Sequence, residues 1–143
     1  MTEIVLPNHA NAHGNILGGR VMHLIDLAAA MAAARHCRQQ VVTASVDSLV
    51  FLHPIKVGAL VLLEANVCRA FRSSMEVEVD VFSEDLQSGK RLQTSTAFLT
   101  FVALDEDGNP RKAPRIRPRT KADRRRFEGA LERREQRLQG KGR

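Results

Sequence analysis

Hydrophobic and polar positions along the chain fall into two regimes. From Val21 to Arg35 nearly every side chain is apolar, and Ala28 to Ala34 holds six alanines around Met31. Alanine has the highest helix propensity, so this stretch predicts one long α-helix, roughly 25 to 30 Å from end to end. Val21, Leu24, Ile25, Leu27, Ala28, Met31 and Ala32 put apolar groups on every face. A helix of that kind is expected to be buried all round. Beyond it the period drops to two. Met75, Val77, Val79 and Val81 alternate with Glu76, Glu78 and Asp80, which predicts a strand with one buried and one wet face. Valine-rich Gln39 to Leu52, mostly apolar Leu60 to Arg69, and Leu92 to Leu104 with Thr94, Thr96 and Thr100 predict further strands. Turn chemistry separates them at His53-Pro54, Val57-Gly58, Phe71 to Ser74, Glu84 to Lys90 and Asp105 to Pro110. Thr2 to Leu6 reads as a short edge strand stopped by Pro7.

One helix followed by four strands on short turns predicts an α+β domain, an antiparallel sheet with the helix across one face. After an extended Pro110 to Pro118 exit, Thr120 to Leu138 reads as a second helix. Its only large apolar residues are Phe127, Leu131 and Leu138, so it would be marginal in isolation.

Length and composition narrow the class. The 143 residues, 43% hydrophobic and 27% charged, fit one soluble globular domain. Arg20 and Asp26 interrupt the only long apolar run, so no membrane span is expected. Met1 to Pro7 carries Glu3 and no Lys or Arg, unlike a secretory leader, and the expected location is the cytoplasm. Cys37 and Cys68 lack metal-ligand spacing and read as small buried side chains. The five histidines form no metal set either, so no metal is expected. The net charge of +6 is confined to one end. Residues 117–143 hold eleven Lys and Arg against four Asp and Glu, whereas residues 1–116 are close to neutral. The chain therefore divides into a domain, 1–116, and a basic C-terminal tail, 117–143. With no aromatic platform and no nucleic-acid motif, the tail reads as solvated or docked on a subunit.

Candidate chemistry centres on Asp26, a carboxylate inside the apolar helix. Buried carboxylates are costly unless paired or used. Among its helical neighbours Met22, His23, Ala29 and Ala30 only His23 is a possible partner, so any other must come from elsewhere in the fold. The bland alternative is a solvent stripe shared with His23, or a structural hydrogen bond. Asn11 to Gly19 precedes the helix, with glycines at 14, 18 and 19. Free N–H groups at such a helix start suit a carbonyl oxygen or an anion. No Gly-Lys-Ser/Thr follows, which excludes a P-loop, and no Gly-x-Ser-x-Gly elbow is present. Asp47, with Thr43 and Ser45 on the same expected strand face, reads as an exposed or interface residue. His13 reads as a loop hydrogen-bonding residue.

The run Asn11-Ala12-His13-Gly14-Asn15-Ile16-Leu17-Gly18-Gly19, with Met22 and Leu24-Ile25-Asp26, resembles the signature of the hotdog-fold acyl-CoA thioesterases, the cytosolic acyl-CoA hydrolases of bacterial and brain type. Matches continue through Val42 to Asp47, Phe51, Pro54 and Gly58, Ser74 to Val79 and Phe98 to Asp105, so the likeness covers about Leu6 to Pro114. It implies a hotdog fold, with the antiparallel sheet wrapped around one long central helix. It also implies a homodimer assembling further to a tetramer or hexamer. The implied reaction hydrolyses acyl-CoA to a fatty acid and coenzyme A, with no cofactor, since coenzyme A is part of the substrate. The resemblance assigns catalysis to Asn11 and Asp26 from different subunits. Asp26 would be base or nucleophile, and Asn11 with the Gly18 and Gly19 amides would orient water and polarise the carbonyl. Arg72, Ser73 and Ser74 resemble the turn beside the coenzyme A phosphates, and the basic tail is a second candidate for those phosphates. Two departures stand out: Asn15 replaces a frequent aspartate, and Ala28-Ala29-Ala30 replaces a glycine-rich patch, which bears on the acyl slot. A non-enzymatic acyl-CoA-binding regulator on the same fold is the competing class. Having both Asn11 and Asp26 argues for the enzyme.

Overall fold

The computed structural model describes residues 1–47 and 49–141, with the Lys141 side chain outside the description. Five strands, β1 (Thr2–Ile4), β2 (Gln40–Val46), β3 (Leu60–Ala70), β4 (Ser74–Glu84) and β5 (Arg91–Leu104), form one antiparallel sheet in the order β1-β3-β4-β5-β2. Helix α1 (Gly18–Cys37) lies across one face and helix α2 (Lys121–Lys141) sits on the other. The fold class read from the sequence is therefore the observed one.

Alternation builds the inner layer. Met75 faces Phe101, Val77 faces Leu99 and Val79 faces Ala97 across β4 and β5, and all six are buried. Val21, Leu24, Ile25, Ala28, Ala29 and Ala33 of α1 pack on them. The alanines keep this side of the helix thin, so the sheet can curve closely around it. The helix starts three residues before Val21, because Leu17 is extended and Gly18 already turns. It ends where Arg38 adopts a left-handed conformation with φ of 56°.

Three expectations need correction. First, α1 is not buried all round in the single chain: Met22, Leu27 and Met31 are 48%, 42% and 50% exposed. One chain has only one sheet to cover the helix, so its outward apolar stripe is left bare. Second, the strand expected over Gln39 to Leu52 stops at Val46. Asp47 and Leu52 still donate backbone hydrogen bonds to Phe98 and Thr94 of β5, but Leu49 to Phe51 lie outside the ladder. Ser48, within the expected strand, lies outside the described residues, as do Gly142 and Arg143 of the tail.

Third, the charged face of β4 is not wet. Glu76 is fully buried beneath α2. Arg133 grips it as a fork, Nε at 3.0 Å from each carboxylate oxygen and Nη2 at 2.6 Å from Oε1. Arg137 Nη1 bridges Glu76 at 3.0 Å and Asp47 at 2.8 Å. Arg133 also stacks on Phe98, and Arg69 on Phe127. The basic tail is thus a helix docked on its own sheet through arginines. Hydropathy alone misses such docking, since the contact area comes from charged side chains with long apolar stems. Burial, then the neighbouring Asp80, pushes the Glu78 carboxyl above its ordinary value. Burial, then Glu76, pushes the Cys68 thiol strongly upward, which makes it a poor nucleophile.

Candidate active site

The loop before α1 is built on Asn11. Its Oδ1 accepts hydrogen bonds from the backbone N–H groups of His13, at 2.9 Å, and Asn15, at 3.2 Å. Gly14 completes the turn with φ of 77°, a region that favours glycine. Ile16 N–H donates to Ile55 and Val57 N–H donates to Gly14, which ties the loop to the segment after Pro54. With Oδ1 turned inward, the Asn11 Nδ2 amide remains as the available donor.

Among the described residues no side chain caps the start of α1, so the amides of Gly18 and Gly19 keep their donors. Asn11, Gly18, Val21, Phe51, Leu52 and Thr94 line a cavity of about 280 Å³. A Cβ placed on Gly18 would lie 3.6 Å from the Phe51 ring. The cavity is mostly apolar with amide donors at one end, a shape suited to a carbonyl carrying a greasy substituent.

Asp26 lies elsewhere. It is half-buried, and its Oδ1 accepts a 2.7 Å hydrogen bond from Thr43 Oγ1 on β2. The partner is therefore Thr43 and not His23, which is exposed. Thr43 and Asp47 were expected on one strand face, but a bulge between Thr43 and Ser45 reverses the alternation. Thr43 consequently points to α1, while Asp47 points to α2. His13 joins the loop through its backbone N–H.

Gly18 and Asp26 are eight residues apart on α1, about 12 Å along the axis. Thr43 pairs with Phe101, seven residues along β5 from the cavity residue Thr94, about 23 Å of strand. One chain thus brings Asn11 and Gly18 together at one end of the sheet and keeps Asp26 with Thr43 towards the other. The turn carrying Arg72, Ser73 and Ser74 lies at the Thr43 end, since Ser74 pairs with Val102. Backbone bonds from Ala113 to Arg72 and from Ala103 to Ser73 hold it. Thr43 is the partner of Asp26 that periodicity missed; a lone threonine on a valine-rich strand gives no signal until α1 is laid against it.

A thin helix on a curved antiparallel sheet, preceded by a donor-rich loop and carrying a tethered carboxylate, defines a hotdog enzyme of thioester chemistry. The sequence profile of the thioesterase superfamily matches residues 13–90, and the chain belongs to that superfamily. A Bacillus subtilis (strain 168) protein named as an uncharacterized acyl-CoA thioester hydrolase is 47% identical over 122 residues, 85% of this chain and 71% of its own length. A crystal structure of an apo-hexameric acyl-CoA thioesterase superposes with a TM-score of 0.94 at 42% identity, covering 97% of this chain and 89% of that one. The acyl-CoA hydrolase of Staphylococcus aureus, solved with butyryl coenzyme A, coenzyme A and coenzyme A disulfide, has a TM-score of 0.93 at 38% identity and covers 99% and 86%. Its solved alanine variants replace an asparagine, an aspartate and a threonine separated by fifteen and seventeen residues. Asn11, Asp26 and Thr43 stand at the same separations.

Proposed function

We propose that the protein hydrolyses acyl-CoA thioesters to a free carboxylic acid and coenzyme A at sites shared between two subunits. The observation that carries this reading is the separation within one chain of the Asn11–Gly18 cavity from the Asp26–Thr43 pair. Each half is chemically incomplete. The first can polarise a thioester carbonyl but holds no carboxylate, its one ionisable lining residue among the described residues being the exposed His53. The second has a base but no oxyanion donors.

A dimer supplies the missing halves. The unpartnered edge β2 exposes Val42 and Val46, and α1 exposes Met22, Leu27 and Met31. Pairing two β2 edges about a two-fold axis covers both surfaces and runs the two α1 helices antiparallel. Asp26 of one subunit then faces Asn11 and Gly18 of the other. The carbonyl oxygen accepts from the Gly18 and Gly19 amides and from Asn11 Nδ2. Thr43 holds Asp26 Oδ1 and leaves Oδ2 to drive the attack, through water or directly. The thiolate of coenzyme A departs and takes up the proton drawn from the water; where Asp26 attacks directly, water then cleaves the resulting anhydride, releases the acid and restores the carboxylate. Assembly of such dimers into a hexamer fits the relatives' form.

Among the described residues no helix is long and apolar enough to cross a membrane. A cytoplasmic setting, where acyl-CoA is made and used, suits this reading.

The test is thiol release from acyl-CoA substrates of increasing chain length. Turnover with at least one chain length is expected. Tight acyl-CoA binding without release at any length would contradict hydrolysis and favour the acyl-CoA-binding regulator.

A further inference from the structure

The outer face of the sheet holds a second cavity, of about 180 Å³, under the C-terminal half of α2. Ser45, Ser74, Thr100, Arg134, Arg137 and Leu138 line it. The two arginines differ in state. Arg137 is committed to Asp47 and Glu76. Arg134 has no carboxylate within ion-pair range among the described residues. Instead it lies half-buried over the Phe71 ring, 4.4 Å from the centroid, with Nη1 donating to Ser74 Oγ at 3.4 Å. Beside it Thr100 Oγ1 is sealed from solvent and has no hydrogen-bond partner.

A guanidinium held flat by an aromatic ring, with most of its donors unspent, is preorganised for an anion. Three hydroxyls around it add donors of the kind a phosphoryl group accepts. The cavity also adjoins the Arg72 to Ser74 turn, at the sheet end that carries the Asp26–Thr43 pair.

We infer that α2 supplies Arg134 as a phosphate-binding residue for the coenzyme A portion of the substrate, with Ser74 and Thr100 as its neighbours in the site. This rests on the acyl-CoA reading above. It gives the basic tail a second role besides docking: most of its inward arginines neutralise Glu76, Glu78 and Asp47, and Arg134 is left to meet substrate.

The experiment compares wild type, Arg134→Gln and Arg134→Lys on butyryl-CoA and on the butyryl thioester of N-acetylcysteamine, which has the same reacting group and no phosphate. Loss of one charge-assisted contact lowers the kcat/KM ratio of the first substrate to the second by about tenfold in Arg134→Gln, through KM, and Arg134→Lys recovers part of it. An unchanged ratio overturns the inference. Equal losses on both substrates also overturn it, since they mark a purely structural arginine. Calorimetric binding of free coenzyme A, weakened about tenfold in Arg134→Gln, supports the site even where neither thioester is turned over, so a failure of the hydrolase reading is distinguishable. Inorganic phosphate that binds at Arg134 and is not displaced by coenzyme A would show an independent anion site and contradict the assignment to substrate.

Discussion

Asp26→Asn is expected to lower kcat for acyl-CoA hydrolysis by about 10²–10⁴-fold while leaving the fold and substrate binding in place. The substitution preserves shape. Its amide oxygen still accepts the Thr43 Oγ1 hydrogen bond that is 2.7 Å long in the native chain. What it removes is the capacity to take a proton or attack a carbonyl. Thiol release at saturating substrate measures the loss, with far-ultraviolet circular dichroism as the check on folding. The effect should appear in kcat far more than in KM, because the carboxylate acts in the transition state. Turnover within a few-fold of wild type would remove Asp26 from the chemistry.

Arg133→Leu is expected to destabilise the fold by about 3–5 kcal/mol, a fall of roughly 10–17 °C in the unfolding midpoint. Glu76 is fully buried, and Arg133 supplies three of its four short contacts. Removing that partner leaves a buried carboxylate to Arg137 alone, which Asp47 also holds. The double variant Glu76→Gln with Arg133→Leu is expected to regain much of the loss, because the uncompensated charge goes with its partner. Thermal unfolding of the three variants checks this. A midpoint near wild type for Arg133→Leu would mean that α2 does not depend on this ion cluster.

Much of the fold was legible because it rests on periodicity. The alanine run of α1 and the strict alternation of Met75 to Val81 each specify an element and its buried face. The likeness around Asn11 to Asp26 named the architecture those elements build. For the candidate site, residue types could be read from the sequence as expectations but their arrangement could not. Asn11, Gly18 and Asp26 lie within sixteen residues of sequence, yet helix geometry separates the first two from the third. Thr43 was misread with Asp47 because a single bulge, invisible to period-two counting, turns the two to opposite faces. The C-terminal tail was misread for a different reason. Its affinity for the sheet lies in arginine forks onto carboxylates that alternation assigns to solvent, and pairing across 57 residues leaves no local trace.

The separation of the two half-sites makes complementation the most direct measurement. Asn11→Ala and Asp26→Asn chains are each expected to be nearly inactive alone. Co-expressed, they form mixed dimers in which one site carries both lesions and the other carries none. With random pairing, the preparation should regain about a quarter of wild-type thiol release. A co-expressed preparation no more active than its parents, at equal content of mixed dimers, would mean that each chain carries its own complete site.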